Sequence, residues 1–575
     1  MRRRDYDGRD AAPRRPRPAG GGGPAAAAGV AVKLVIAVPV GAGLVGVLLP
    51  AFGYLPPIGA DQPGLAAFAA LAARPGLAHS AALSVGTALA ATLVSLAATA
   101  SILAATFGTR AMAVTDRLLA PLLSVPHAAA ALGFVLLFAP SGLVLRLLSP
   151  WATGLRVPPD IALVQDPWGI ALTVALVMKE TPFLVLMALA ALGQIEARPR
   201  VAMARALGYG RMAAFLHGVW PLVYRQIKLP VLAVLAFCVS VVDVAMILGP
   251  TRPPPLAVRL LTELHAADID AWLVGSAGAV LLLGLMGALV LAWLALERAA
   301  GWALARLRDG GWRARRDRLA RIAAMAFAAA LTGTMALAVV GLCVQSVAGY
   351  WPFPQVLPAN VSAASWVERL PGVLDTLATT LGIAIGATAL SLPLAVALLA
   401  SGVRVGGLIY LPLIVPQVAF LFGLATLVIA MGVTAGPVLV TLTHVLFTLP
   451  YALIALSGPW AALDPRYEMA ARSFGLPWWR RFVMVRLALL TRPLAVAAAL
   501  GVAVSVALYV PTRIVGGGRV ATITTEAVAA ATGGDRRLVA MLALMQLALP
   551  FVAFALARGG PALAFRHRRA MQGRA

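Results

Sequence analysis

Acidic side chains are scarce in this 575-residue chain, and the shortage narrows its chemistry before any motif is considered. Asp and Glu total 22 against 47 Lys and Arg, and charged residues of both signs make up 12%. A soluble globular protein carries about twice that charged fraction. Cysteine is rarer still: Cys238 and Cys343 stand far apart in apolar stretches, which argues against a disulfide framework or a zinc site. The six His are scattered with no HExxH. There is no G-x-x-x-x-G-K phosphate loop and no GxSxG, so the chain cannot cradle ATP in the usual way and an enzyme is disfavoured.

Apolar residues fill the space instead, at 61% of the chain, with a mean hydropathy of +0.89. Runs long enough for a bilayer, about 20 residues each, lie near 31–53, 81–106, 120–140, 169–192, 228–249 and 273–296. A second set lies near 323–345, 376–402, 408–431, 436–458, 493–511 and 538–557. The chain therefore reads as an all-α, polytopic membrane protein of about 12 spans. The first run is long and lacks a small-residue cleavage site, so it is expected to stay as a helix. The Arg/Pro/Gly-rich tail ahead of it has no periodicity and reads as disordered.

The net charge of +25 suggests nucleic acid until the charges are located. With both tails and alternate loops on one side, about 34 basic residues fall there, about 10 on the other and about 3 inside spans. The rich side is the cytoplasm by the positive-inside rule, so both termini are expected there, with no nucleic acid as partner. The densest patch, Arg306 to Arg321 (RLRDGGWRARRDRLAR), reads as a topology determinant against anionic headgroups of the lipid bilayer.

The two sets of spans are also copies of one pattern. Leu83-Ser84-Val85-Gly86 through Ser95-Leu96 aligns on Thr379-Thr380-Leu381-Gly382 through Ser391-Leu392. Val125-Pro126-His127 with Gly133 matches Val415-Pro416-Gln417 with Gly423, and Ser240–Asp243 pairs with Ser505–Leu508. Each central Pro is expected to kink its helix. Two homologous six-helix units about a pseudo-twofold axis would enclose a pathway. The expected divisions are a basic tail (1–30), a first helix and periplasmic loop (31–80), a first transmembrane domain (81–296) and a basic linker (297–322). A seventh helix with its loop (323–375), a second transmembrane domain (376–558) and a basic tail (559–575) complete the chain.

Each unit carries one polar, basic loop. PRVAMARALGYGRMAAFLHGVWP and PRYEMAARSFGLPWWRRFVMVRLALLTR share Ala-Arg-x-x-Gly, at Ala204-Arg205 with Gly208 and Ala471-Arg472 with Gly475. Alanine and Arg favour a short helix, and the Gly allows the backbone to turn after it. These loops resemble the EAA loop, E-A-A-x-x-x-G, of permease subunits of binding-protein-dependent ABC importers. Pro221 falls at the family's spacing, whereas the second loop has Ala488 there. Ala202 stands where the family has an acid, and Glu468 lies one place early. The chain looks like a fused permease, with both membrane units in one polypeptide, over about residues 80–560. Stretches such as LVMKETPFL and GGGRVATITTEAVAAATGGDRRL are similar to the thiamine and ferric-iron branch, which implies a thiamine-like or other small solute.

The resemblance implies that two ATP-binding-cassette ATPase subunits dock on these loops and a periplasmic solute-binding protein delivers the solute. No cofactor is expected, and the location implied is a bacterial inner membrane. Carried over residue by residue, Ala204, Arg205, Gly208, Ala471, Arg472 and Gly475 are the coupling positions, with Glu468 offset. The alternative is a proton-coupled secondary transporter of 6+6 helices, although the loop FGTRAMAVTDRLL lacks that class's Gly/Arg run.

Ionisable residues at membrane depth must face protein or water. Lys179 and Glu180 lie about ten residues, or ~15 Å, into the fourth span. Adjacent residues point about 100° apart on a helix, so each should find its own partner. With Asp243 they either balance charge within the first unit or line a pathway suited to a cationic solute. His127, Gln417 and His444 are further polar wall candidates. Trp478 and Trp479 read either as anchors on a soluble partner or as headgroup-depth residues.

Overall fold

A computed structural model of the chain describes residues 24–56, 59–264, 269–311 and 313–564. Of the expected tails (1–30 and 559–575), residues up to 23 and from 565 lie outside the described residues, while 24–30 and 559–564 belong to the first and last helices. Among those described, ten helices are long and apolar enough to cross a membrane, or twelve when each of two bent pairs counts once. Extended pairing is confined there to two isolated bridges, Leu55 with Ala60 and Ala348 with Val361.

The first six spanning helices are α1 (Pro24–Ala51), α2 (Leu77–Thr106), α3 (His127–Phe138), α4 (Ile170–Leu192), α5 (Trp220–Ser240) and α6 (Ile269–Asp309). The second six are α7 (Arg318–Val347), α8 (Ala364–Ala400), α9 (Gln417–Ala430), α10 (Pro437–Ala461), α11 (Thr491–Ala507) and α12 (Arg536–Ala564). Ten of the expected spans fall on single apolar helices with ends that differ, and the expected spans near 408–431 and 493–511 fall on the two bent pairs. The expected linker is mostly helix, because α6 runs on to Asp309 and α7 begins at Arg318. In α2 the hydroxyls of Thr87, Thr92, Thr99 and Thr106 each donate to the carbonyl four residues back. Threonine thereby satisfies its own polar group in an apolar span.

Proline does more than kink. Pro416 separates the helix Gly407–Ile414 from α9 at a bend of 94°, because its ring bars the residue before it from helical geometry. Pro126 caps α3 after the helix Arg110–Leu123 in the same way. The fifth span of each unit breaks too. After α5 the chain runs through Val241 (φ −64, ψ 134) and Val242 (φ −115, ψ −54) into the short helix Asp243–Leu248. After α11 it runs through Leu508 (φ −72, ψ 107) and Tyr509 (φ −89, ψ −57) into Val510–Val515. This match pairs Val241–Val242 with Leu508–Tyr509. It corrects the sequence pairing of Ser240–Asp243 with Ser505–Leu508, in which shared Ser had pulled the register off.

The two units interlock. Helix α2 packs on α4 and α5, as α8 packs on α10 and α11. The first helix of each half crosses to the other: α1 lies on α8 and α9, and α7 lies on α2 and α3. At the α1–α9 crossing a Cβ on Gly43 would strike the Phe420 carbonyl, and Cβ atoms on Gly46 or Gly423 would strike the opposing backbone. The pseudo-equivalent contact sets Gly133 of α3 against the Ala338 methyl of α7. Small residues let backbones approach where lipid offers no hydrophobic drive for association.

Candidate functional site

Each polar loop forms a helix, a turn and a second helix. In the first, the helix Ala197–Ala206 ends as Tyr209 N–H bonds Ala204 O (3.3 Å) and Gly208 N–H bonds Arg205 O (2.9 Å). In the second, Arg466–Ser473 ends as Leu476 N–H bonds Ala471 O (3.3 Å) and Gly475 N–H bonds Arg472 O (3.0 Å). This is the Schellman closure, which places its turning residue in the left-handed region; Gly208 has φ +88 and Gly475 φ +72. The shared Ala-Arg-x-x-Gly is the sequence trace of that closure. Ala471 is buried, while Arg205 and Arg472 are exposed.

The loops differ in what surrounds them. On the first, the segment after α6 lies across the turn. Gly210 N–H bonds Arg313 O (3.0 Å), Met212 N–H bonds the Asp317 carboxylate (2.7 Å), and a Cβ on Gly210 would collide with Ala314 O. The second has no such strap among the described residues. Phe474 is 85% exposed and Trp478 71%, with Tyr467, Met469 and Trp479 also exposed around them. Glu468, offset in sequence, pairs with Arg486 at 3.1 Å and so braces the outgoing helix against the returning one. Arg486 also stacks over Trp460, 4.5 Å from its ring centre.

At membrane depth the expected residues separate into two groups. Lys179 and Glu180 are both buried and do find different partners: Lys179 donates to Leu122 O (2.9 Å), and Glu180 meets His127 Nε2 (3.1 Å). The break before α3 delivers His127 to that position, where its ring packs on Phe237 at 4.6 Å. Asp243 begins the short helix after α5 and is within electrostatic reach of His127. Sequence reasoning overlooked two tyrosines of the second half, Tyr451 near Glu180 and Tyr509 near Asp243. No sequence motif marks them; only the packing of one half on the other does. Beside His127 and Lys179 lies a cavity of about 10 Å³, room for roughly one water.

The second half has no acid here. Glu180 stands two places before Pro182, and Thr448, two places before Pro450, instead bonds Ser391 at 2.5 Å. Gln417 opens α9 as His127 opens α3 and is half-buried. His444 has both ring nitrogens engaged, by Ser505 (2.8 Å) and Thr512 (2.9 Å), and is a structural group. Arg146 was also missed, although an Arg amid Leu143–Leu148 is visible in sequence. It is buried and donates to Ser141 O, Trp351 O, Pro352 O and Gln355 O at 2.8–3.1 Å, tying the loop after α3 to the loop after α7. Among the described residues no cluster of His, Cys, Asp and Glu is disposed to hold a metal.

No family model matches the chain, and no solved structure does. Among curated proteins it is similar to the inner membrane ABC transporter permease protein YnjC of Escherichia coli. The two are 33% identical over 436 residues, which cover 76% of this chain and 78% of that protein. It is also similar to the thiamine transport system permease protein ThiP of Escherichia coli, 38% identical over 68 residues, 12% of this chain and 13% of that one.

Proposed function

The chain belongs to the ABC transporter permeases, and on that premise we propose that it is the pathway-forming subunit of a bacterial inner-membrane importer. Both halves of the pathway are in one polypeptide, and ATP is hydrolysed on separate subunits. Two ATP-binding-cassette subunits dock on the paired loops, and a periplasmic solute-binding protein delivers cargo to the opposite face. The excess of basic residues in alternate loops supports cytoplasmic termini. The observation that carries the coupling assignment is the repeated closure at Gly208 and Gly475. The loops lie six spans apart and hence on one side of the membrane.

ATP binding closes the ATPase pair, moves the two loops, and through α5 and α11 shifts the broken helices beyond them. For cargo, the acids at membrane depth belong to one half alone: Glu180 and Asp243, with Tyr451 and Tyr509 of the other half within electrostatic reach of them. Buried acids with aromatic residues in the vicinity suit a small organic cation. The relative that transports thiamine makes a thiamine-like cation the first probe. The buried Lys179 and Glu180 also suit a proton-coupled secondary transporter, but membership of the permease family weighs against that alternative.

A β-branched residue at positive φ costs about 1–2 kcal/mol locally. Gly208→Val together with Gly475→Val is therefore expected to leave a membrane-inserted chain that no longer retains the ATPase encoded beside it. Copurification of that ATPase at wild-type yield would overturn the assignment. Neighbouring reading frames without an ATPase and a secreted binding protein would overturn the importer reading itself.

A further inference from the structure

The strap over the first loop builds a feature that coupling does not require. Arg205, Tyr209, Gly210 and Arg211 on one side, and Arg315, Asp317 and Arg321 on the other, line a cleft of about 340 Å³. Four of these seven residues are Arg and one is acidic. Asp317 is already engaged: one oxygen takes Met212 N–H at 2.7 Å, and the other lies 3.6 Å from Arg321 Nε. Arg211 spends one nitrogen on Phe107 O, at the end of α2. The buried Arg321 Nε lacks a hydrogen bond. The guanidinium groups of Arg313 and Arg315 lie 3.2 and 3.4 Å from where a Cβ on Gly208 would sit, so they are gathered over the turn despite like charge. Such gathering makes the cleft strongly positive and favours an anion within it.

We infer that this cleft is a binding site for a phosphate-bearing anion, held between the first polar loop and the segment that joins the two halves. Guanidinium forks match the paired oxygens of a phosphate group, and several converging on one site favour a dianion over a lone carboxylate. The volume suits a phosphate or pyrophosphate group with part of its substituent. Phe107 and Arg321 place the cleft at the ends of two spanning helices, α2 and α7. The phosphate can therefore come from an anionic lipid headgroup reaching in from the membrane, or from a soluble phosphate compound. Once bound, the anion bridges Arg205 and Arg211 to Arg315 and Arg321, and so fastens the strap to the loop.

The test uses the full chain in nanodiscs. In phosphatidylcholine discs, calorimetric titration with pyrophosphate is expected to show saturable binding. It should weaken about tenfold or more in Arg315→Gln/Arg321→Gln, since each charge-assisted hydrogen bond is worth over about 1.4 kcal/mol, or tenfold. The variant Arg315→Lys/Arg321→Lys should fall between the two. In discs doped with phosphatidylglycerol, native mass spectrometry is expected to find the lipid retained by the wild type and lost from the Gln variant if the headgroup is the source. Binding of either probe that the Gln variant loses supports the site, and which one binds identifies the source. Should the Gln pair prove misfolded by thermal unfolding, Arg315→Gln alone, at an exposed position, serves in its place. Absence of both bindings, binding indifferent to these substitutions, or capture of an acidic peptide alone would overturn the inference.

Discussion

A hydrogen bond between Glu180 and His127 joins two ionisable groups within helices that must otherwise face oil. Its removal should separate structural from transport roles. Glu180→Leu leaves the partly buried His127 without that acceptor, at a cost of about 1 kcal/mol, seen as a lower thermal midpoint in detergent. Glu180→Gln keeps a hydrogen bond and should keep the midpoint. If the carboxylate serves a cationic solute, the Gln variant loses uptake into proteoliposomes while its ATPase activity persists. Uptake unchanged in Glu180→Gln would reduce the pair to a packing device. At this scale the sequence placed Lys179, Glu180 and Asp243 in the membrane and set the two neighbours apart by helical geometry. It could not supply His127 as the partner, because that depends on where the break at Pro126 aims the next helix.

Among elements, the two polar loops share backbone and differ in cover. Asp317 caps the helix Arg211–Gly218 from a distant stretch of chain, and losing such a cap costs about 1 kcal/mol. Asp317→Ala should therefore raise amide hydrogen exchange at residues 210–214 and leave 466–476 unchanged; equal protection in both would refute the strap. A second tie lies at the opposite end. Asp535 precedes α12, accepts from Arg537 and Leu538 N–H, and pairs with Arg369 of α8. Burial pushes its pKa up, but the Leu538 N–H, the Arg369 guanidinium and the Arg537 N–H outweigh this and hold it below the ordinary carboxylate value. A depressed folded pKa means the tie is fully present at neutral pH and lost as pH falls through that lowered value. Asp535→Asn should flatten the acid limb of the stability profile. The Gly turns were readable from the sequence because closure is a local backbone property. The strap was not, since Arg306 to Arg321 reads in sequence as a topology determinant against anionic headgroups, and nothing local in it points to the first loop.

For the whole molecule, the exchange of α1 and α7 makes each half incomplete alone. Separately expressed chains 1–310 and 311–575 are thus expected to assemble when made together, since each reaches across to the other. Gly423→Leu, which drives a side chain into the α1 backbone, should abolish their copurification. Overpacking of this kind costs about 1–3 kcal/mol or more. Recovery of the halves at wild-type yield despite the Gly423→Leu substitution would show that the crossing contributes little.

Span number, duplication and the paired turns were set by the sequence itself. Bilayer thickness fixes the length of an apolar run, and a backbone closure needs only a few consecutive residues. Which helix lies against which was decided only in the tertiary structure. Leucine and alanine faces are interchangeable partners in lipid until glycines permit one close crossing. The same holds for the strap, the Arg146 clasp and the tyrosines within electrostatic reach of Glu180 and Asp243, whose members are brought together from distant parts of the chain by helix packing.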